Sequence, residues 1–166
     1  MHGSYVVNVD AAVYRSHDDD DASAEFDPSD GVAADPQYLL IERGEAEEHA
    51  AGMLGLPGGT LEADPRDEGV LEATLRRELR EEVAVEVGEV SVVTSAVFES
   101  DTGTSCLNVV CLAEHAAGDP YPAAPDEVAS VDWYGLDRIA AADDVPEFTR
   151  GYVERAEAAR TASRSA

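Results

Sequence analysis

The stretch 56–87, "LPGGTLEADPRDEGVLEATLRRELREEVAVEV", decides how this chain is read. It joins a Pro-Gly-Gly turn to a long amphipathic segment and carries nine carboxylates. Asp64 followed by Pro65 is a good N-cap and first-turn pair, which predicts a helix over 65–84. Leu71, Leu75, Leu79 and Val83 recur every four residues and give that helix an apolar stripe toward the core. At roughly 100° per residue, Glu78, Glu81 and Glu82 fall in one sector that abuts the stripe. Like charges at these spacings weaken a helix. At the rim of a pocket a divalent cation relieves the repulsion, and hard ions such as Mg²⁺ or Mn²⁺ prefer carboxylate oxygens. Arg77, four residues before Glu81, is placed to pair with that carboxylate. Pro57-Gly58-Gly59 predicts a tight turn with positive φ and close backbone approach, able to offer N–H groups to a phosphate. In so acidic a chain these residues by themselves leave two readings open, a metal site and a solvated face.

The acidity is chain-wide. The 166 residues hold 36 Asp and Glu against 11 cations, every one an arginine, for a formal net charge of −25. Apolar residues nevertheless make up 44%, enough for one domain with a real core. A field of this sign repels nucleic acid and anionic membranes, so neither a DNA or RNA duplex nor a membrane is expected as partner. An anionic small molecule stays admissible where metal ions and local arginines mediate the contact. Excess acid without lysine resembles proteins of salt-accumulating microbes, in which counterions screen self-repulsion. Cys106 and Cys111 lie on opposite faces of a predicted strand, which argues against a disulfide or a metal pair. With no signal peptide and no apolar stretch of about 18 residues, a soluble cytoplasmic protein is expected.

Outward from the opening stretch, "SYVVNVDAAVYR" (4–15) and "QYLLIER" (37–43) read as strands that plausibly pair. The acidic segment 16–36 between them reads as a solvated loop. "VEVGEVSVVTSAVFES" (85–100) and "SCLNVVCLAEHA" (105–116) read as a hairpin through "DTGT". "DEVASVDWYGLDRI" (126–139) offers one more strand and a helix start, and 146–163 a terminal helix beginning near Pro146. The pattern is an α+β domain, a mixed sheet flanked by helices. Trp133 and Tyr134 alternate faces of the last strand; one is expected in the core, with base stacking the rarer alternative.

Taken together, "PGGTLE…RRELREEVAV" resembles the signature of the Nudix hydrolase family, G-x5-E-x7-R-E-U-x-E-E-x-G-U with U a bulky aliphatic residue. Arg77, Glu78, Leu79, Glu81, Glu82 and Val85 match it, and the flanking strands extend the likeness over roughly residues 5–145. Gly59 lies 18 residues before Arg77 where the pattern has 14, so "ADPRDEG" holds about four extra residues. Gly69 stands where the family has its first glutamate, with Glu68 and Glu72 near it. Ala84 replaces the family's glycine, a mild change if its backbone stays helical.

The resemblance implies an α/β/α sandwich in which 1–145 is the Nudix domain, with a loop–helix unit at about 57–85 and a C-terminal helix and tail at 146–166. It implies metal-dependent hydrolysis of a nucleoside diphosphate linked to another moiety. Glu78, Glu81 and Glu82 would hold Mg²⁺ or Mn²⁺, Arg77 would orient a glutamate, and backbone at Gly58 and Gly59 would shape the phosphate pocket. The general base is left among Glu81, Glu78 and Glu127, and His49 and His115 read as surface residues. A Nudix-fold nucleotide-binding or regulatory module without hydrolysis is the alternative. The nucleotide derivative stays open, as does a homodimer.

Overall fold

The computed structural model describes residues 3–16, 35–44 and 51–165. His49 and nearly all of the acidic segment 16–36 lie outside the described residues. In chain order the elements are β1 (Val6–Arg15), β2 (Gln37–Arg43), β3 (Leu54–Gly55), β4 (Gly58–Thr60), α1 (Val70–Val83), β5 (Glu86–Glu99), β6 (Ser105–Ala117), β7 (Val128–Gly135), α2 (Leu136–Ala141) and α3 (Glu147–Arg164). The strands form one mixed sheet in the order β3-β2-β1-β6-β5, with β4 paired to β1 and β7 to β2. Among the described residues no helix is long and apolar enough to cross a membrane.

β1 is where the sheet forks. Along one edge, Val6–Tyr14 pair in parallel with β6. The other edge is shared: Asn8–Asp10 pair antiparallel with β4, and Tyr14–Arg15 with β2. Between these partners the Ala11 N–H donates to the Pro57 carbonyl at 2.8 Å. The fork brings β4, and α1 packed against it, to the flank of β1.

Both faces of the sheet are covered, so the central strands read as near-continuous apolar runs. Val9, Ala11 and Val13 of β1 and Val109, Cys111 and Ala113 of β6 face α1, where they meet Leu75, Leu79 and Val83. Ala12 of β1 and Val110 and Leu112 of β6 face α3, with Tyr38, Leu40, Val153 and Ala156. Each fully buried Leu or Val contributes about 1.5–3 kcal/mol. Trp133 joins the first cluster and Tyr134 the second, so both are buried where one was expected to be, because both faces of the sheet are covered. Both cysteines are free, and Cys106 sits on the face opposite Cys111.

The α+β class and the pairing of the first two strands are as expected. The helix start is not. α1 begins at Val70, capped by Gly69 in the left-handed region at φ 63°, and Asp64-Pro65 lie in a separate turn. There the Asp67 N–H donates to the Asp64 carbonyl at 3.1 Å, and the Asp67 carboxylate accepts the Asp64 N–H at 2.9 Å. Arg66 has φ 92°. Two left-handed residues cannot belong to a right-handed helix, so the extra residues of "ADPRDEG" form their own loop instead of a first turn. Ala84 is also left-handed, at φ 60° and ψ 36°, and ends α1 instead of continuing it.

Candidate active site

Glu78, Glu81 and Glu82 project from the last two turns of α1 toward β4. Strand β4 is the Gly58-Gly59-Thr60 segment, and neither glycine has the positive φ expected of a turn. Their role is close approach. A Cβ on Gly58 would lie 2.2 Å from the Val9 carbonyl oxygen and 2.5 Å from Asp10 Oδ1. A Cβ on Gly59 would lie 2.3 Å from Glu78 Cδ. The missing side chains let β4 pair with β1 on one side and receive Glu78 on the other.

The three glutamates differ in environment. Glu82 is 7% exposed, and its Oε2 accepts the Gly58 N–H at 3.2 Å. Burial pushes its carboxyl up to about 8; the like charges of Glu78, Glu127 and Asp10 add to this, and the Gly58 N–H opposes it. Glu78 is partly buried and also raised, chiefly by desolvation, against the pull of Arg77. Arg77 Nη2 donates to Glu78 Oε1 at 3.2 Å, so its partner is the adjacent glutamate and not Glu81. Glu81 is exposed, and both it and Arg77 line the cleft. Among the described residues no three acidic, histidine or cysteine side chains converge as a ready-made cation cage.

These residues line one open cleft of about 1180 Å³, together with Gly58, Gly59 and Glu127. Glu127 is exposed on the loop before β7, whose backbone is tied down by a 2.9 Å bond from the Gly44 N–H to the Glu127 carbonyl. Every residue singled out in the sequence for the site therefore faces the same space.

The cleft also holds residues that the sequence reading passed over. Asp10 and Asn8 of β1 and Asn108 of β6 lie on its floor. Asn108 Nδ2 donates to Asp10 Oδ2 at 2.8 Å, and Asn108 is 5% exposed. Burial pushes the Asp10 carboxyl up to about 6, against the Asn108 hydrogen bond and the charge of Arg43. A signal was present: Asn8, Asp10 and Asn108 interrupt otherwise apolar strands covered on both faces, and buried polar residues need a reason. Phe98, Phe148 and Tyr152 also line it. Arg43 lines the cleft as well, whereas three other arginines beyond the box are engaged elsewhere. Arg150 donates to the Ile139 and Ala142 carbonyls, Arg138 stacks 4.3 Å from the Tyr134 ring centroid, and Arg155 reaches Thr94.

The sequence profile of the NUDIX domain matches residues 30–156. The chain belongs to the Nudix family of pyrophosphohydrolases. Nudix structures share its fold. A MutT Nudix hydrolase from Burkholderia pseudomallei is 23% identical, with a TM-score of 0.66, over 92% of this chain and 98% of that one. The Nudix domain of Shewanella oneidensis NrtR, crystallised with ADP ribose, is 21% identical with a TM-score of 0.71, over 96% and 90%. A MutT protein from Methanosarcina mazei Go1 is 21% identical with a TM-score of 0.67, over 96% and 98%. No curated protein matches the sequence. Nudix enzymes generally use divalent metals. Against the Nudix signature, the Gly69 departure now has a structural role, since the family's first glutamate position is here the left-handed cap of α1. Glu72, one of its neighbours, pairs with Arg76 at 2.9 Å and not with Arg77.

Proposed function

We propose that this Nudix protein hydrolyses the pyrophosphate bond of a nucleoside diphosphate joined to a second group, using Mg²⁺ or Mn²⁺ held by Glu78, Glu81 and Glu82. The observation that carries the reading is the charge imbalance at Glu82. Its carboxylate is buried, accepts one N–H and feels three other carboxylates. A hard divalent cation at that point offsets both desolvation and repulsion, so the donor set suits such an ion. When bound, the cation supplies charge neutralisation of the diphosphate and acidification of the attacking water.

The chain's own residues supply the rest. Gly58 holds Glu82 through its N–H, and Arg77 holds Glu78 in the space left by Gly59. Glu81, Glu78 and Glu127, which all line the cleft, are the candidates for the base that takes the water's proton. A second reading, nucleotide sensing without cleavage, draws on the likeness to the ADP-ribose-bound NrtR domain.

A screen of nucleoside diphosphate derivatives with Mg²⁺ and Mn²⁺ in high salt separates the two. Turnover in wild type, with a loss of roughly 100-fold or more in kcat for Glu82→Gln at unchanged circular dichroism, is the expected result. Equal turnover in the variant removes the site; binding without turnover in wild type favours sensing.

A further inference from the structure

β5 is the outermost strand of the sheet on its β6 side, and it runs for 14 residues from Glu86 to Glu99. Between Glu89 and Glu99 it reads "VSVVTSAVF" (90–98), without a single charged residue in a chain of 36 carboxylates. Among the described residues β5 pairs with β6 alone. An open strand edge is a template for a further strand, and proteins usually guard it with charge, proline or brevity. Residues 90–98 carry none of these guards. The start of the strand is held from within, where Arg76 Nη1 donates to the Val87 carbonyl at 2.7 Å and Nη2 to the Gly88 carbonyl at 2.8 Å.

Val92 and Val97 are the most exposed large apolar side chains of the strand, at 59% and 62%. Five residues apart, they would face opposite sides of a regular strand. The register shift between Val92 and Thr94 changes that. Val92 lies opposite Cys111, Ser95 opposite Val109 and Val97 opposite Leu107, so all three face the α1 side of the sheet. Counted along β6, Val92 and Val97 each stand two ladder positions from Ser95. A two-fold axis at the outer edge beside Ser95 therefore sets Val92 of one copy opposite Val97 of another, twice. Farther out, Phe98 falls opposite Ser91 and Glu99 opposite Val90, so no carboxylate faces another along this ladder.

We propose that the uncharged edge of β5 is a dimer interface, at which two copies of the chain join their sheets antiparallel about a two-fold axis beside Ser95. Two observations select a second copy over a foreign partner. The exposed valines match each other under the two-fold, a self-complementarity that an identical edge supplies by symmetry. A second copy also carries −25, so it is repelled least where carboxylates are absent. A cationic partner would instead be drawn to the carboxylates that this edge lacks. Ala96 and Phe98, which line the cleft, face the other way, so the valine contacts and the cleft lie on opposite faces of the strand. The pairing does not depend on what the cleft binds.

Sedimentation equilibrium of the intact chain in high salt, across micromolar concentrations, tests it. Wild type should be a reversible dimer whose population rises with salt, as the remaining charge is screened. Val92→Glu places a carboxylate against the other copy's Val97, so the dissociation constant should rise roughly 100-fold at unchanged circular dichroism. Val97→Arg alone should weaken the dimer in the same way. Combined, the two substitutions should restore most of the affinity, because the new charges meet across the two-fold. Within one chain they stand four ladder positions apart, about 13 Å. A wild type that stays monomeric throughout overturns the proposal. So does a dimer that Val92→Glu leaves intact, or one that the combined variant fails to restore.

Discussion

At the scale of single residues, Glu82 and Ala84 carry the sharpest consequences. The folded-state pKa of Glu82, about 8, lies above its ordinary value of 4.5. A raised pKa of this kind contributes stability that is complete below about pH 4.5 and is lost as pH rises toward 8. Without metal, wild type should therefore lose stability relative to Glu82→Gln between pH 5 and 8. Saturating Mn²⁺ should reverse the order, because only the carboxylate gains the cation. Melting curves of both proteins across that range check this, and parallel curves would defeat it. Ala84 pays a different penalty. A left-handed L-residue costs about 1–2 kcal/mol, partly matched by the extra chain entropy that a glycine loses on folding. Ala84→Gly should stabilise the protein by roughly 0.5–1 kcal/mol, a rise of a few degrees in Tm. A Tm at or below wild type would show that the cap is unstrained.

At the scale of elements, the short strand β4 is the joint between the sheet and the acidic end of α1. Its two glycines face opposite ways and should fail differently when substituted. Gly58→Ala drives a methyl into the β1 backbone, which cannot yield, so the expected outcome is loss of soluble folded protein or a Tm drop of many degrees. In Gly59→Ala the nearest atoms met are those of the Glu78 side chain, which can swing away. Activity should then fall roughly tenfold or more while Tm moves little. Expression, circular dichroism and kcat measured on the pair test the contrast, and similar behaviour of both variants would sink it. The α1 boundary illustrates a limit of local reading. Asp64-Pro65 has the chemistry of a helix start, yet the left-handed Arg66 and Gly69 divert the chain after one isolated turn, before a helix can propagate. Cap preference is a local term of about 1 kcal/mol, small enough for the path of the surrounding loop to override.

At the scale of the whole molecule, a net charge of −25 sets the response to salt. Raising salt from about 0.1 M to above 1 M shortens the screening length from about 10 Å to about 3 Å or less, which weakens repulsion between surface carboxylates. Tm should climb steadily with KCl over that range, in Glu82→Gln as in wild type, because the effect belongs to the surface and not to the site. A flat or falling Tm would show that the acidic coat is neutral for stability. The fold does not oppose the charge: an apolar cluster fills each face of the sheet, and among the described residues no buried side-chain polar atom lacks a hydrogen-bond partner.

The sequence by itself determined the five longer strands, the apolar stripe of α1 and the grouping of Arg77, Glu78, Glu81 and Glu82 on one helix, because periodicity and short spacings are local properties of the chain; the short strands β3 and β4 were not legible in it. The alternation of Trp133 and Tyr134 was legible for the same reason. Three things were decided only in the tertiary structure. Arg77 pairs with Glu78 and not Glu81, since the direction of a side chain depends on the pocket wall it meets. Gly58 and Gly59 serve close packing and not a turn, since the need for a missing Cβ arises from β1 and α1, distant in sequence. Asp10, Asn108, Phe98 and Phe148 share one cleft with the Nudix box because β1, β5, β6 and α3 are assembled around it. That assembly is a product of long-range pairing and burial, which no window along the chain contains.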